Sequence, residues 1–191
     1  MILLQYLKLF GFFVYAYMAG YILYKDRKSM LNITCSLLIA SFAIWDIRDT
    51  FSVGTNITKD TVILLQNISS IGWTCFAYFF VCFAIVFSKR EKLLKKKWFL
   101  ILNFILPLIL IYKQWTTGIA SSPVLGAHGW EFAWKETFWT YLFYTYYISY
   151  TLLGIYIIYL HGIQTKKIKR EETIQNNCCY RYYQFSRWNN Y

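Results

Sequence analysis

The chain alternates long apolar runs with short polar breaks, most of them basic. Five runs stand out, at residues 3–24, 30–47, 61–88, 98–113 and 137–160. A helix needs roughly 20 apolar residues to cross a ~30 Å hydrocarbon core, and these runs lie close to that length. The pattern predicts an all-α, polytopic membrane bundle of five transmembrane helices over residues 1–165. A basic, disordered cytoplasmic tail is expected over residues 166–191. The first run lacks the basic start and small-residue cleavage pattern of a secretory signal, and it is too long for one.

The polar breaks orient the bundle. The breaks after runs one, three and five (Lys25–Lys28, Lys89–Lys97 and Lys166–Arg170) carry 13 Lys and Arg residues. The two other breaks carry only Arg48, Lys59, Lys113 and Lys135, offset by Asp46, Asp49, Asp60, Glu131 and Glu136. Positively charged loops stay on the cytoplasmic side. The N-terminus is therefore expected outside and the C-terminus inside, in a multi-pass plasma-membrane protein.

Small residues four apart suggest close helix contacts, Ala16 with Gly20 in run one and Ser36 with Ala40 in run two. Pro107 is tolerable inside a membrane helix and predicts a kink in run four. Neither an internal repeat nor a pair of short, Gly-interrupted runs points to an inverted-repeat transporter.

Composition agrees with this reading. Hydrophobic residues make up 58% and charged residues 15% of the chain, with a mean hydropathy of +0.35. Soluble domains sit near ~45–50% apolar and ~25% charged. The net charge of +11 would suggest nucleic acid in a soluble protein. Here the charges lie between apolar runs, so no nucleic-acid partner is expected. Their partners are the lipid bilayer and, at Lys89–Lys97 and Lys166–Arg170, anionic headgroups.

The sequence offers little reactive chemistry. Cys35, Cys75 and Cys82 lie inside apolar runs and Cys178 and Cys179 in the tail, so there is neither a disulfide framework nor a metal spacing. Phosphate loops, zinc motifs, nucleophile elbows and paired catalytic carboxylates are all lacking. No catalysis and no cofactor are expected of this chain. Asn56–Ile57–Thr58 matches a glycosylation sequon on the outer side, as Asn32 and Asn67 do at run ends.

The outer break from Gln114 to Glu136 is long and contains Trp115, His128, Trp130 and Trp134. Interfacial anchoring explains a single Trp, whereas the length favours a functional cap. Run five is crowded with aromatics, among which Tyr144, Tyr147 and Thr151 form one polar stripe. Trp45, Asp46, Trp115, His128, Trp130, Tyr144 and Tyr147 are therefore the candidate ligand-sensing residues.

Several of these features occur in a familiar order. Asn67-Ile-Ser-Ser-Ile-Gly-Trp73 opening run three, Trp45 ending run two, the basic 89–97 break, Pro107, Gly129–Trp130 and the basic 166–170 stretch follow one another along the chain. Over about residues 1–172 this arrangement resembles the N-terminal seven-transmembrane sensor region of histidine kinases, through its first five helices. The resemblance implies a bundle that senses a small-molecule or membrane signal and drives a cytoplasmic kinase in a two-component system. A homodimer is a further expected partner. The kinase output and helices six and seven depart from the pattern.

After Glu172 the sequence turns to Asn, Tyr, Cys and Arg without helical or strand period. Read one base later from Asn176, suitable codons would give an apolar, Ile- and Val-rich segment. The expectation is a truncated or frameshifted chain. A small oligomerising transporter or channel subunit is the alternative function, against which stands the scarcity of polar midplane residues.

Overall fold

A computed structural model describes the backbone of residues 2–51, 57–120, 123–126 and 129–188, and side chains of the described residues between 6 and 166. Five helices form: α1 (Ile2–Lys25), α2 (Met30–Phe51), α3 (Lys59–Phe87), α4 (Lys97–Thr116) and α5 (Phe138–Trp188). Each holds a segment long and apolar enough to cross a membrane, the last being Phe138–Lys166. A two-stranded hairpin, β1 (Val124–Gly126) and β2 (Gly129–Glu131), rises between α4 and α5 with Leu125 opposite Trp130.

Helix boundaries follow local chemistry. The Thr58 hydroxyl accepts from the Thr61 amide at 3.4 Å and Asp60 lies in the first turn of α3, which suits the positive end of the helix dipole. At its far end Lys89 takes a left-handed conformation (φ 59°), and Arg90 N–H returns to the Ile85 carbonyl at 3.0 Å. A single 3-10 turn, Glu91–Leu93, then leads the basic connection into α4. Leu94 buries itself beside Ile85 and Val86, pinning that connection to the bundle.

Helix α3 is the centre. It packs against α2 and α5 along most of its length and against α4 more briefly, while α1 leans on α2. Serines, threonine, glycine and alanine make this possible: Ser69, Ser70, Thr74, Ala77 and Ala84 are fully buried. In lipid, where tails are as apolar as leucine, helices associate by close packing and interhelical hydrogen bonds. The bonds are present. Ser69 Oγ donates to the Trp45 carbonyl at 2.6 Å, and Ser36 Oγ to the Ala19 carbonyl at 2.7 Å. Tyr146 Oη donates to the Thr74 carbonyl at 2.9 Å, and Tyr150 Oη to Asn103 Oδ1 at 3.1 Å.

Two expectations need correcting. Ala16 is exposed and a Cβ on Gly20 would meet nothing within 4 Å, so the α1–α2 contact runs instead through Ala19 beneath Ser36. Helix α2 runs on past residue 47 to Phe51, because Arg48 and Asp49 pair with each other and Arg48 reaches Gln66 on α3. The helical backbone of α5 continues to Trp188. Pro107 is buried within α4, which runs through it as one helix.

Candidate functional site

The α2–α3 and α4–α5 connections lie at one end of the bundle, the end that the charge asymmetry assigns to the outside. There a cavity of about 410 Å³ opens between helices and loop. Helix α2 contributes Trp45, Arg48 and Asp49, and α3 contributes Gln66 and Trp73. The returning arm of the hairpin supplies Phe132, Ala133 and Trp134, with Ala120 opposite. Helix α5 closes the wall with Phe143, Tyr144 and Tyr147.

Sequence position explains why these side chains meet. Phe143 and Tyr147 are four apart on α5, and with Tyr144 they form one stripe of that helix. The arm is held over this stripe by backbone bonds. Lys135 N–H donates to the Ile119 carbonyl at 3.1 Å, and Ala120 bridges Trp134. Buried Gln114 anchors the arm's other side: its Oε1 accepts from the amides of Ile119 at 2.8 Å and Ala120 at 3.1 Å. Its Nε2 donates to Asn67 Oδ1 on α3 at 3.3 Å. Lys135 Nζ adds a bond to the Thr117 carbonyl at 2.8 Å.

The rings form a continuous aromatic lining. Trp73 stands edge-on to Phe143 at 4.6 Å and to Trp134 at 5.5 Å, while Trp134 stacks on Phe143 at 5.3 Å. Such edge-to-face and stacked pairs add stabilisation beyond what area burial alone gives. The polar side is an ion-pair network. Arg48 grips Asp49 through two nitrogens, donates to Gln66 Oε1 at 3.0 Å, and lies 5.4 Å from the Phe132 ring centre. Lys8 of α1 reaches Asp49 at 3.9 Å. Among the described residues no three His, Cys, Asp or Glu side chains gather as a metal site.

The seven sequence candidates separate. Trp45, Tyr144 and Tyr147 line the cavity. Asp46 faces α1, where a Cβ on Gly11 would lie 3.3 Å from its Oδ2. Trp115 is outside the cavity, its indole N–H donating to the Asn67 carbonyl at 3.0 Å. Trp130 is on β2, with its buried Nε1 making no hydrogen bond to a described residue. His128 lies outside the described residues. Sequence reasoning missed Arg48, Asp49, Gln66, Trp73, Phe132 and Phe143. The signal available for Arg48, Asp49 and Gln66 was charge and amide beside two facing helix ends.

Fold and cavity together define a polytopic membrane protein with a small-molecule-sized cavity at one end of its helices. The family model described as the N-terminal 7TM region of histidine kinase matches residues 7–175. The chain belongs to that family. No curated protein and no solved structure matches it. Membership makes the chain a sensor-type membrane region and gives the transporter or channel alternative no support.

Proposed function

We propose that this chain is the signal-input region of a histidine-kinase type protein in the plasma membrane, non-catalytic itself, with its cavity facing outward. One observation carries the reading. The cavity wall is shared by α2, α3, the outer arm and α5, and α5 is also the helix that leaves the bundle at the opposite end. Its 51 residues span about 77 Å at 1.5 Å per residue, far more than a ~30 Å bilayer core. A ligand bridging Trp45 and Tyr147 would bias the position of α5 against α2 and α3. That bias would pass into the inner segment as a small rigid-body shift. Anionic headgroups at Lys89–Lys97 and Lys166–Arg170 would hold the inner rim, and a second copy would supply the dimer on which an output module acts.

The test is hydrogen exchange on the chain in lipid nanodiscs against a panel of small acids, amines and neutral apolar compounds. At least one class should protect residues 117–137 from exchange, and Trp134→Ala should remove that protection. Uniform exchange across the whole panel would contradict the cavity's role.

A further inference from the structure

The polar atoms on the outer cavity's wall are mostly donors. Gln66 is 3% exposed, and its Oε1 is taken by Arg48. Its amide nitrogen makes no hydrogen bond to any described residue. Trp73, also 3% exposed, likewise has an indole N–H without a partner among them. Neither nitrogen is fully enclosed, since the buried atoms lacking partners belong to Thr50, Thr74, Trp130 and Thr151. Both residues border the cavity, and Gln66 also borders a second, smaller cavity beside Asn67 and Gln114.

Arg48 commits three N–H groups to Asp49 and Gln66. A guanidinium carries five, which leaves two. The one carboxylate on the wall, Asp49, is already met by Arg48 and approached by Lys8. The other nearby acid, Asp46, is turned to α1. Among the described residues the wall therefore has spare donors on Arg48, Gln66 and Trp73, and its one carboxylate already accepts from Arg48 through Oδ1.

Donors without a partner in a largely buried wall favour an occupant that supplies acceptors. An arginine fork is matched to a carboxylate. The remaining wall is aromatic, with Trp134 and Phe143 stacked and Tyr147 beside them. Resting on the reading of this cavity as the sensing site, we propose that it takes a small aromatic carboxylate. The ring lies among Trp45, Trp134 and Tyr147, and the carboxylate accepts from Arg48, Gln66 and Trp73. An ammonium group of the same size would bring donors to these donors and share Asp49 with Arg48.

Calorimetric titration of the nanodisc-embedded chain with phenylacetate, phenylacetamide and phenethylamine isolates the headgroup, since all three carry the same ring. Phenylacetate should bind at least tenfold tighter than phenethylamine, with the amide between them. Trp73→Phe keeps a ring and removes only the N–H, so it should weaken phenylacetate about five- to tenfold, as loss of one hydrogen bond does. Arg48→Gln should abolish the preference for the acid, and Arg48→Lys should restore part of it. Melting each variant shows whether it is folded, and Trp73→Phe remains decisive if Arg48→Gln does not fold. Equal or tighter binding of phenethylamine would overturn the carboxylate class and leave the cavity a binding site. Failure of all three probes while other compounds protect 117–137 would do the same. Preference for the acid that survives both Trp73→Phe and Arg48→Gln would remove the site from this cavity.

Discussion

Gly72 of α3 lies against the backbone of α2 at Trp45, so closely that a Cβ there would overlap the Trp45 amide nitrogen. It would also stand 2.5 Å from the Ser41 carbonyl oxygen. These obstacles are backbone, and neither helix can yield by moving a side chain. Ser69, one turn earlier on α3, bonds the carbonyl of the same Trp45 at 2.6 Å. The two residues fix how α2 sits on α3, and thereby where Trp45 and Arg48 face the cavity.

Gly72→Ala should therefore force α2 and α3 apart. Overpacking of this kind costs about 1–3 kcal/mol, seen as a lower melting temperature in detergent. Ser69→Ala, which removes one bond without crowding, should cost nearer ~0.6 kcal/mol, the average for polar contacts between membrane helices. Equal melting temperatures for Gly72→Ala and the unaltered chain would show that the helices are less tightly apposed.

Gln114 should control the outer arm. Gln114→Leu keeps the volume and leaves the buried Ile119 and Ala120 amides without an acceptor, at about 1–3 kcal/mol each. Amide exchange over residues 117–137 should accelerate, whereas exchange in α3 below Thr74 should stay as it was. Acceleration spread over the whole chain would instead mark general unfolding.

Much of this fold can be read from the sequence because hydropathy in a membrane protein is a strong signal. Helix α4 begins within one residue of the apolar run, at Lys97, since the basic cluster before it marks the membrane edge. The reading failed where polar residues are paired across helices. Arg48 and Asp49 end an apolar run by composition, yet their ion pair and Gln66 let α2 continue. Asp46 and Asp49 part ways for a related reason. The two are nearly one turn apart, and only the position of α1 decides which faces the cavity. Tyr144 and Tyr147 were legible from helical spacing. Trp73 carries no local signal of its place in the cavity, because its contacts with Phe143 and Trp134 come from segments 60 or more residues away in sequence.

Tyr146 should be structural. Its hydroxyl bonds the Thr74 carbonyl in the α3–α5 seam, away from the cavity lining. Tyr146→Phe should lower stability by about 0.6 kcal/mol and at most ~1.7 kcal/mol, measured by detergent melting. Any ligand found for the cavity should keep its affinity in this variant. A large change in affinity at preserved stability would place Tyr146 in the site.

Orientation is tested by impermeant thiol labelling of intact cells, using a chain whose five cysteines are replaced by serine. Leu125→Cys, on exposed β1, should label from outside, and Lys92→Cys in the basic connection only after permeabilisation. The reverse pattern would invert the bundle and close the cavity to external ligands.

The central claim is that occupancy of the cavity reaches the inner part of α5. Spin labels at Lys92→Cys and Gln164→Cys, both exposed positions, measure the distance between the inner α3–α4 connection and α5 in nanodiscs. With a saturating compound that protects residues 117–137, the distribution should shift by about 1–2 Å, the scale of helix movements in signalling transitions. The shift should vanish in Trp134→Ala. An unchanged distribution with the cavity demonstrably filled would contradict transmission through α5.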